Sequence, residues 1–148
     1  MNTDDSRDGR RSREDPLTDE HRRRLSEEEL NGLTELIIGC AFTVANELGA
    51  GFLEKVYENA LTHELKKRHL HAKQQHQVPV YYDGVIVGEY FADILVEKTV
   101  IVELKATKEH NDVFTAQCLN YLKATGLPVC LLLNFGKPRL EINRFRGP

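Results

Sequence analysis

Three charged side chains interrupt the most apolar part of the chain. In Ala92–Ala106, ADILVEKTVIVELKA, the residues Asp93, Glu103 and Lys105 sit in a stretch that otherwise suits a buried β-hairpin. A charge in such a place is costly without a partner. Strand side chains alternate between faces, so Glu103 and Lys105 share one with Ile101, about 7 Å apart. Val100, Val102 and Leu104 take the other. The face of Asp93 depends on the turn. A two-residue turn at Glu97-Lys98 puts it on the wrong side. A three-residue turn, Glu97–Thr99, pairs 93 with 103 and brings their Cβ atoms to about 5 Å. We expect that register, or a bulge with the same effect.

Two carboxylates so close repel. One can hold a proton, Lys105 can pair with one, or a hard divalent cation can sit between them, as Mg²⁺ is bound by one or two carboxylates with water and phosphate. The ordinary alternative is an exposed sheet edge carrying solvated charges.

The elements that must position these residues are legible as periodicities. Ser26 and Glu29 form a capping box. Leu30, Leu33, Ile37, Ala41, Val44 and Leu48 follow at helical spacing, and Gly49 can end that helix in a left-handed cap. A second helix is expected from about Leu53 to Arg68, its apolar set being Leu53, Val56, Tyr57, Ala60, Leu61 and Leu65. Asp83-Gly84 between two β-rich runs, 78–82 and 85–95, marks a hairpin. The strand VIVELKA follows. DVFTAQCLNYLKATG, 112–126, reads as a helix with Asp112 as N-cap and Gly126 as stop. LPVCLLLN, 127–134, reads as a buried strand and LEINRF, 140–145, as an edge strand. The order α-α-β-β-β-α-β-β predicts an α/β fold: one mixed sheet flanked by helices, with helix 112–126 as the crossover.

Residues 1–25 read as a disordered mixed-charge tail and 26–148 as one domain. Residues 1–30 carry seven Arg and ten Asp or Glu. Residues 31–148 hold thirteen basic and thirteen acidic residues, a balance that does not advertise a nucleic-acid partner. No apolar run reaches the roughly 18–20 residues of a membrane span, and the charged N-terminus is unlike a secretory signal, so no membrane association and a cytoplasmic location are expected. Cys40, Cys118 and Cys130 match no disulfide or zinc pattern and read as buried hydrophobes. His63, His69, His71 and His76 match no metal motif and read as surface.

Asp-x₉-Glu-x-Lys across a hairpin resembles the motif of the PD-(D/E)xK nuclease superfamily, whose restriction-endonuclease-like αβββαβ core matches this order of elements. Ala92 stands where that motif often has Pro. Gly51, Glu54 and Tyr57 in GFLEKVY are similar to the GxxExxY signature of one family in that superfamily. Gln117 and Tyr121 in QCLNY are similar to the QxxxY motif of its RecB-like branch. The likeness runs from about Leu33 to Phe145.

Taken alone, Glu54 is a carboxylate in the first turn of a helix, where the dipole favours it. Gln117 and Tyr121 are an ordinary pair on one helix face. The resemblance implies more. It implies a Mg²⁺- or Mn²⁺-dependent nuclease, with Asp93, Glu103 and the Leu104 carbonyl as metal ligands. Glu54 would point at the metal site. Lys105 would orient or deprotonate the attacking water. Gln117 and Tyr121 would orient Lys105 or contact a phosphate. The implied partner is nucleic acid, DNA before RNA, with cleavage leaving a 5′-phosphate. A homodimer or protein partner is left open. The rival expectation is a catalytically silent nucleic-acid-binding or scaffold module of the same fold, working in a protein complex.

Overall fold

A computed structural model describes residues 24–109 and 112–148. Most of the expected tail, 1–23, lies outside the described residues. The chain divides into two units, Met1–Leu33 and Thr34–Pro148. Helix α1, Glu27–Leu48, runs across that division. In the first unit it is opened by the expected capping box: Ser26 N–H donates to Glu29 Oε1 (2.9 Å) and Glu29 N–H donates to Ser26 Oγ (3.0 Å).

In the second unit α1 buries Ile37, Cys40, Ala41 and Val44. It stops at Gly49, left-handed at φ +70, whose N–H donates to Ala45 O. Helix α2 is Glu54–Lys67. Of its expected apolar set, Tyr57, Leu61 and Leu65 are fully buried, whereas Leu53, 80% exposed, and Val56 face solvent. Leu53 is the N-cap residue, outside the helix and off its apolar stripe.

Strands β1 (Ala72–Tyr82), β2 (Val85–Val96) and β3 (Val100–Lys105), helix α3 (Asp112–Thr125), and strands β4 (Val129–Asn134) and β5 (Glu141–Arg146) complete the fold. They build a mixed five-stranded sheet in the order β1-β2-β3-β4-β5, parallel only between β3 and β4, which α3 connects. This is the expected α/β, restriction-endonuclease-like architecture. Helix α2 packs against β1, β2 and β3, and α3 against β1, β4 and β5. The core cluster includes Ile101, Cys118, Leu122, Cys130 and Leu132. Val102 and Leu104 alternate with Ile101 and Glu103 and are buried too, so both faces of β3 are covered.

Two boundaries and the burial of one histidine differ from the sequence reading. Strand β1 begins at Ala72 rather than near Val78, because the polar run Lys73–Gln77 pairs with Phe91–Leu95 of β2. Tertiary pairing overrides weak β-propensity there. Asp112 is already helical, so it is not the N-cap of α3. His76 is half-buried with its Nδ1 unpartnered, unlike exposed His63, His69 and His71. The three cysteines are free and buried as expected. Among the described residues no helix is long and apolar enough to cross a membrane.

Candidate active site

The turn between β2 and β3 sets the register. Glu97 and Lys98 are both left-handed, as a type I′ turn requires, and Thr99 N–H donates to Val96 O (2.9 Å). Thr99 is then one residue too many, because Val96 pairs with Val100, Leu95 with Ile101 and Ile94 with Val102. Continued one step, that register sets Asp93 opposite Glu103.

There the two strands are held by carboxylates. Asp93 N–H donates to Glu103 Oε1 (2.8 Å), and Leu104 N–H donates to Asp93 Oδ2 (2.8 Å). The regular alternation of β2 slips at the same place. Val78 and Ala92 belong to the core cluster beside α3, and so do Leu95 and Ile101, although 92 and 95 differ in parity. On β1, Gln75 opposite this slip is left-handed at φ +54. A local irregularity of this kind re-aims a side chain.

The electrostatics follow from the geometry. Glu103 is 4% exposed. Burial first, and the neighbouring Asp93 charge second, push its pKa up to about 9. Asp93 is raised as well, chiefly by burial and partly offset by the Leu104 N–H. Glu54 opens α2 and remains solvent-accessible. Partial desolvation raises its pKa, Lys105 lowers it and Asp93 raises it. Among the described residues no three His, Cys, Asp or Glu side chains converge tightly enough to hold an ion together. Glu54 therefore does not join Asp93 and Glu103 in a ready-made three-carboxylate centre. Each of the paired carboxylates has an oxygen committed to a backbone N–H, and three unneutralised charges would repel.

The donor set nonetheless fits a hard divalent ion: two carboxylates that favour a neighbouring cation, and oxygen ligands only. The N–H and C=O of one strand residue point toward the same neighbour. Leu104 donates its N–H toward Asp93, so its carbonyl faces the same side.

Lys105 pairs with neither carboxylate. Its Nζ lies 4.5 Å from the centroid of the Phe114 ring, a cation–π contact from α3. Gln117 and Tyr121 also engage other partners than Lys105. Gln117 Nε2 donates to Tyr121 Oη (2.9 Å), and Tyr121 Oη donates to Phe91 O (3.4 Å). The Tyr121 hydroxyl pKa is raised by burial and then by the charge of Glu103. This pair therefore borders the acidic site and leaves the positioning of Lys105 to Phe114.

The G-x-x-E-x-x-Y spacing has a mechanical reading. Gly51 is at φ +117, where a side chain would be strained. Tyr57 is fully buried, stacked on Phe135 with centroids 4.7 Å apart. Its hydroxyl donates to Gly49 O and accepts from Phe52 N–H. Tyr57 thus ties down the loop that delivers Glu54.

Two participants were not singled out from the sequence. Glu58 is a buried carboxylate one turn after Glu54, 3% exposed. It accepts from Lys55 Nζ (3.1 Å), Gln74 Nε2 (2.7 Å) and Gln75 Nε2 (3.1 Å). Its charge raises both Asp93 and Glu54. Gln75 also lies near Asp93 and lowers its pKa. The i,i+4 spacing of Glu54 and Glu58 was the available signal for the first. Nothing local marks Gln75.

A family model of the PD-(D/E)XK nuclease superfamily matches residues 31–145. No curated protein and no solved structure matches the chain.

Proposed function

Since the chain belongs to the PD-(D/E)XK nuclease superfamily, we propose that it is a divalent-metal-dependent nuclease hydrolysing phosphodiester bonds of DNA. The observation that carries this reading is the buried, opposed pair Asp93 and Glu103 beside a lysine that, among the described residues, forms no close ion pair with a carboxylate. Gly51, Glu54 and Tyr57 support membership of the GxxExxY family within the superfamily.

In this reading Asp93, Glu103 and the Leu104 carbonyl would hold Mg²⁺ or Mn²⁺, and Glu54 would hold a second metal or a metal-bound water. A bound divalent ion would supply Lewis-acid stabilisation of the phosphoryl group and a more acidic water. Lys105 orients the attacking water, accepts its proton, or neutralises charge on the phosphate. Phe114 holds the ammonium in place without consuming its charge. Gln117 and Tyr121 border the site and position the substrate strand. The expected product carries a 5′-phosphate.

A second reading has its own observation. Tyr81, Tyr82, Val85, Ile86 and Val87 are exposed together around the tip of the β1–β2 ribbon. An apolar patch of this kind suits a protein partner or second copy. The chain would then be a scaffold, or an enzyme active only in a complex.

The deciding experiment is cleavage of single-stranded, linear and circular DNA and of RNA with Mg²⁺ or Mn²⁺. Wild type is compared with Lys105→Ala and Glu103→Ala. Metal-dependent cleavage lost in both variants supports the nuclease. Metal binding by calorimetry with no cleavage points to a partner-dependent protein. The absence of both metal binding and cleavage removes the site assignment.

A further inference from the structure

A groove of about 300 Å³ runs between α3 and the β1–β2 ribbon. Its walls include Val78, Val80, Tyr90 and Val113, with the amides of Gln117 and Asn120. Among the described residues no charged one lines it. Tyr90 stands at its rim, 53% exposed, edge-on to Tyr121 at 6.2 Å between centroids. Such a volume lies at the small end of ligand sites, about 300–1,000 Å³, which are mostly apolar with a few orienting polar groups.

The inner wall is shared with the acidic site. The hydrogen-bond chain from Gln117 through Tyr121 ends on Phe91 O, two residues before Asp93 on β2. On the nuclease reading, a ligand that spans both places a flat neutral group in the groove and an anionic group at Asp93, Glu103 and Lys105. A nucleotide has that layout. An apolar peptide side chain would bring no phosphate to the neighbouring site. A base in a duplex has its faces stacked on its neighbours, so only an unpaired base can enter.

We propose that this groove takes an unpaired nucleobase of a single-stranded substrate, stacked on Tyr90 and oriented by the Gln117 and Asn120 amides. The assignment rests on the nuclease reading and names the substrate class of that site: single strands or frayed ends.

The test is binding of a labelled single-stranded oligonucleotide and of its duplex, by fluorescence anisotropy with Ca²⁺ in place of Mg²⁺. Tyr90→Ala removes the stacking face, and Ala116→Trp fills the groove from an exposed position. Each should weaken single-strand binding about tenfold, the scale of one stacked base, with little change for duplex and an unchanged Tm. The chain has no tryptophan, so Tyr90→Trp is a single-site reporter whose fluorescence the single strand should quench. Single-strand binding unaffected by both Tyr90→Ala and Ala116→Trp, or weakened equally for duplex, overturns the assignment. Mg²⁺-dependent cleavage then separates the two readings. Cleavage lost in Glu103→Ala but untouched by the groove variants leaves the nuclease standing without the base site. No metal-dependent cleavage of any substrate, together with no metal binding, overturns the nuclease itself.

Discussion

Asp93 and Glu103 bond to each other's strands rather than to each other. Glu103 Oε1 accepts the Asp93 N–H, and Asp93 Oδ2 accepts the N–H of Leu104, the residue after Glu103. Two carboxylates thereby replace the regular ladder where β2 and β3 part. The arrangement orients both side chains rigidly and leaves an electrostatic debt that a cation would cancel.

That debt has a pH signature. Burial raises Glu103 from the ordinary carboxylate range, near ~4.3, to about 9. Below that range the carboxyl is neutral in folded and unfolded chains alike. As pH rises, the unfolded chain ionises first, so stability falls with pH until about 9. Thermal unfolding in EDTA should show Tm declining across this window. Glu103→Gln should flatten most of the slope and raise Tm at alkaline pH. A Tm in EDTA that does not change between acidic and alkaline pH would contradict the raised Glu103.

Divalent metal should reverse the penalty. At about a hundredfold excess over Kd, Mg²⁺ should add about 2.7 kcal/mol of stability to wild type. Asp93→Asn or Glu103→Gln should lose most of that gain, while Glu54→Gln should lose less, since Glu54 lies apart from the opposed pair. Differential scanning fluorimetry over a Mg²⁺ titration reads all four proteins.

Lys105 and Phe114 should separate chemistry from positioning. Lys105→Ala should lower kcat by about 10²–10⁴-fold with metal binding retained. Phe114→Leu keeps an apolar side chain and removes the ring face under the ammonium, so its loss of kcat should be smaller, about tenfold. Single-turnover cleavage with saturating substrate measures both. An equal loss in both variants would show that Phe114 does more than position the lysine.

Tyr57→Phe should destabilise by about 1–3 kcal/mol, because Gly49 O and Phe52 N–H lose a partner while the stack on Phe135 remains. Cleavage should fall more than Tm explains, through the loosened Glu54 loop. Chemical denaturation and cleavage on the same variant test the link.

Gly136→Ala should be among the most damaging small substitutions. A Cβ there would drive into the backbone of Ala106 and Thr107, which Asn134 clamps through Thr107 N–H (3.2 Å) and Thr107 O (2.9 Å). Overpacking against main chain costs about 1–3 kcal/mol or more. Expression and Tm of Gly136→Ala check it.

Local chemistry was enough to read much of this protein from its sequence. The Ser26–Glu29 capping box, the left-handed Gly49 and Gly126, and the Asp83-Gly84 turn each depend on residues within a few positions, so sequence determined them. The pairing of Asp93 with Glu103 was also legible, because alternation and turn length leave few registers. What lay beyond sequence was long-range. The polar run Lys73–Gln77 became strand only because β2 offered it a partner. Buried Glu58 is satisfied by Gln74 and Gln75, sixteen and seventeen residues away. Lys105 turned to Phe114 across the crossover, and Tyr121 reached Phe91 O thirty residues back. Periodicity states which face a side chain takes. Which neighbour meets it there is decided by how the sheet and its helices pack.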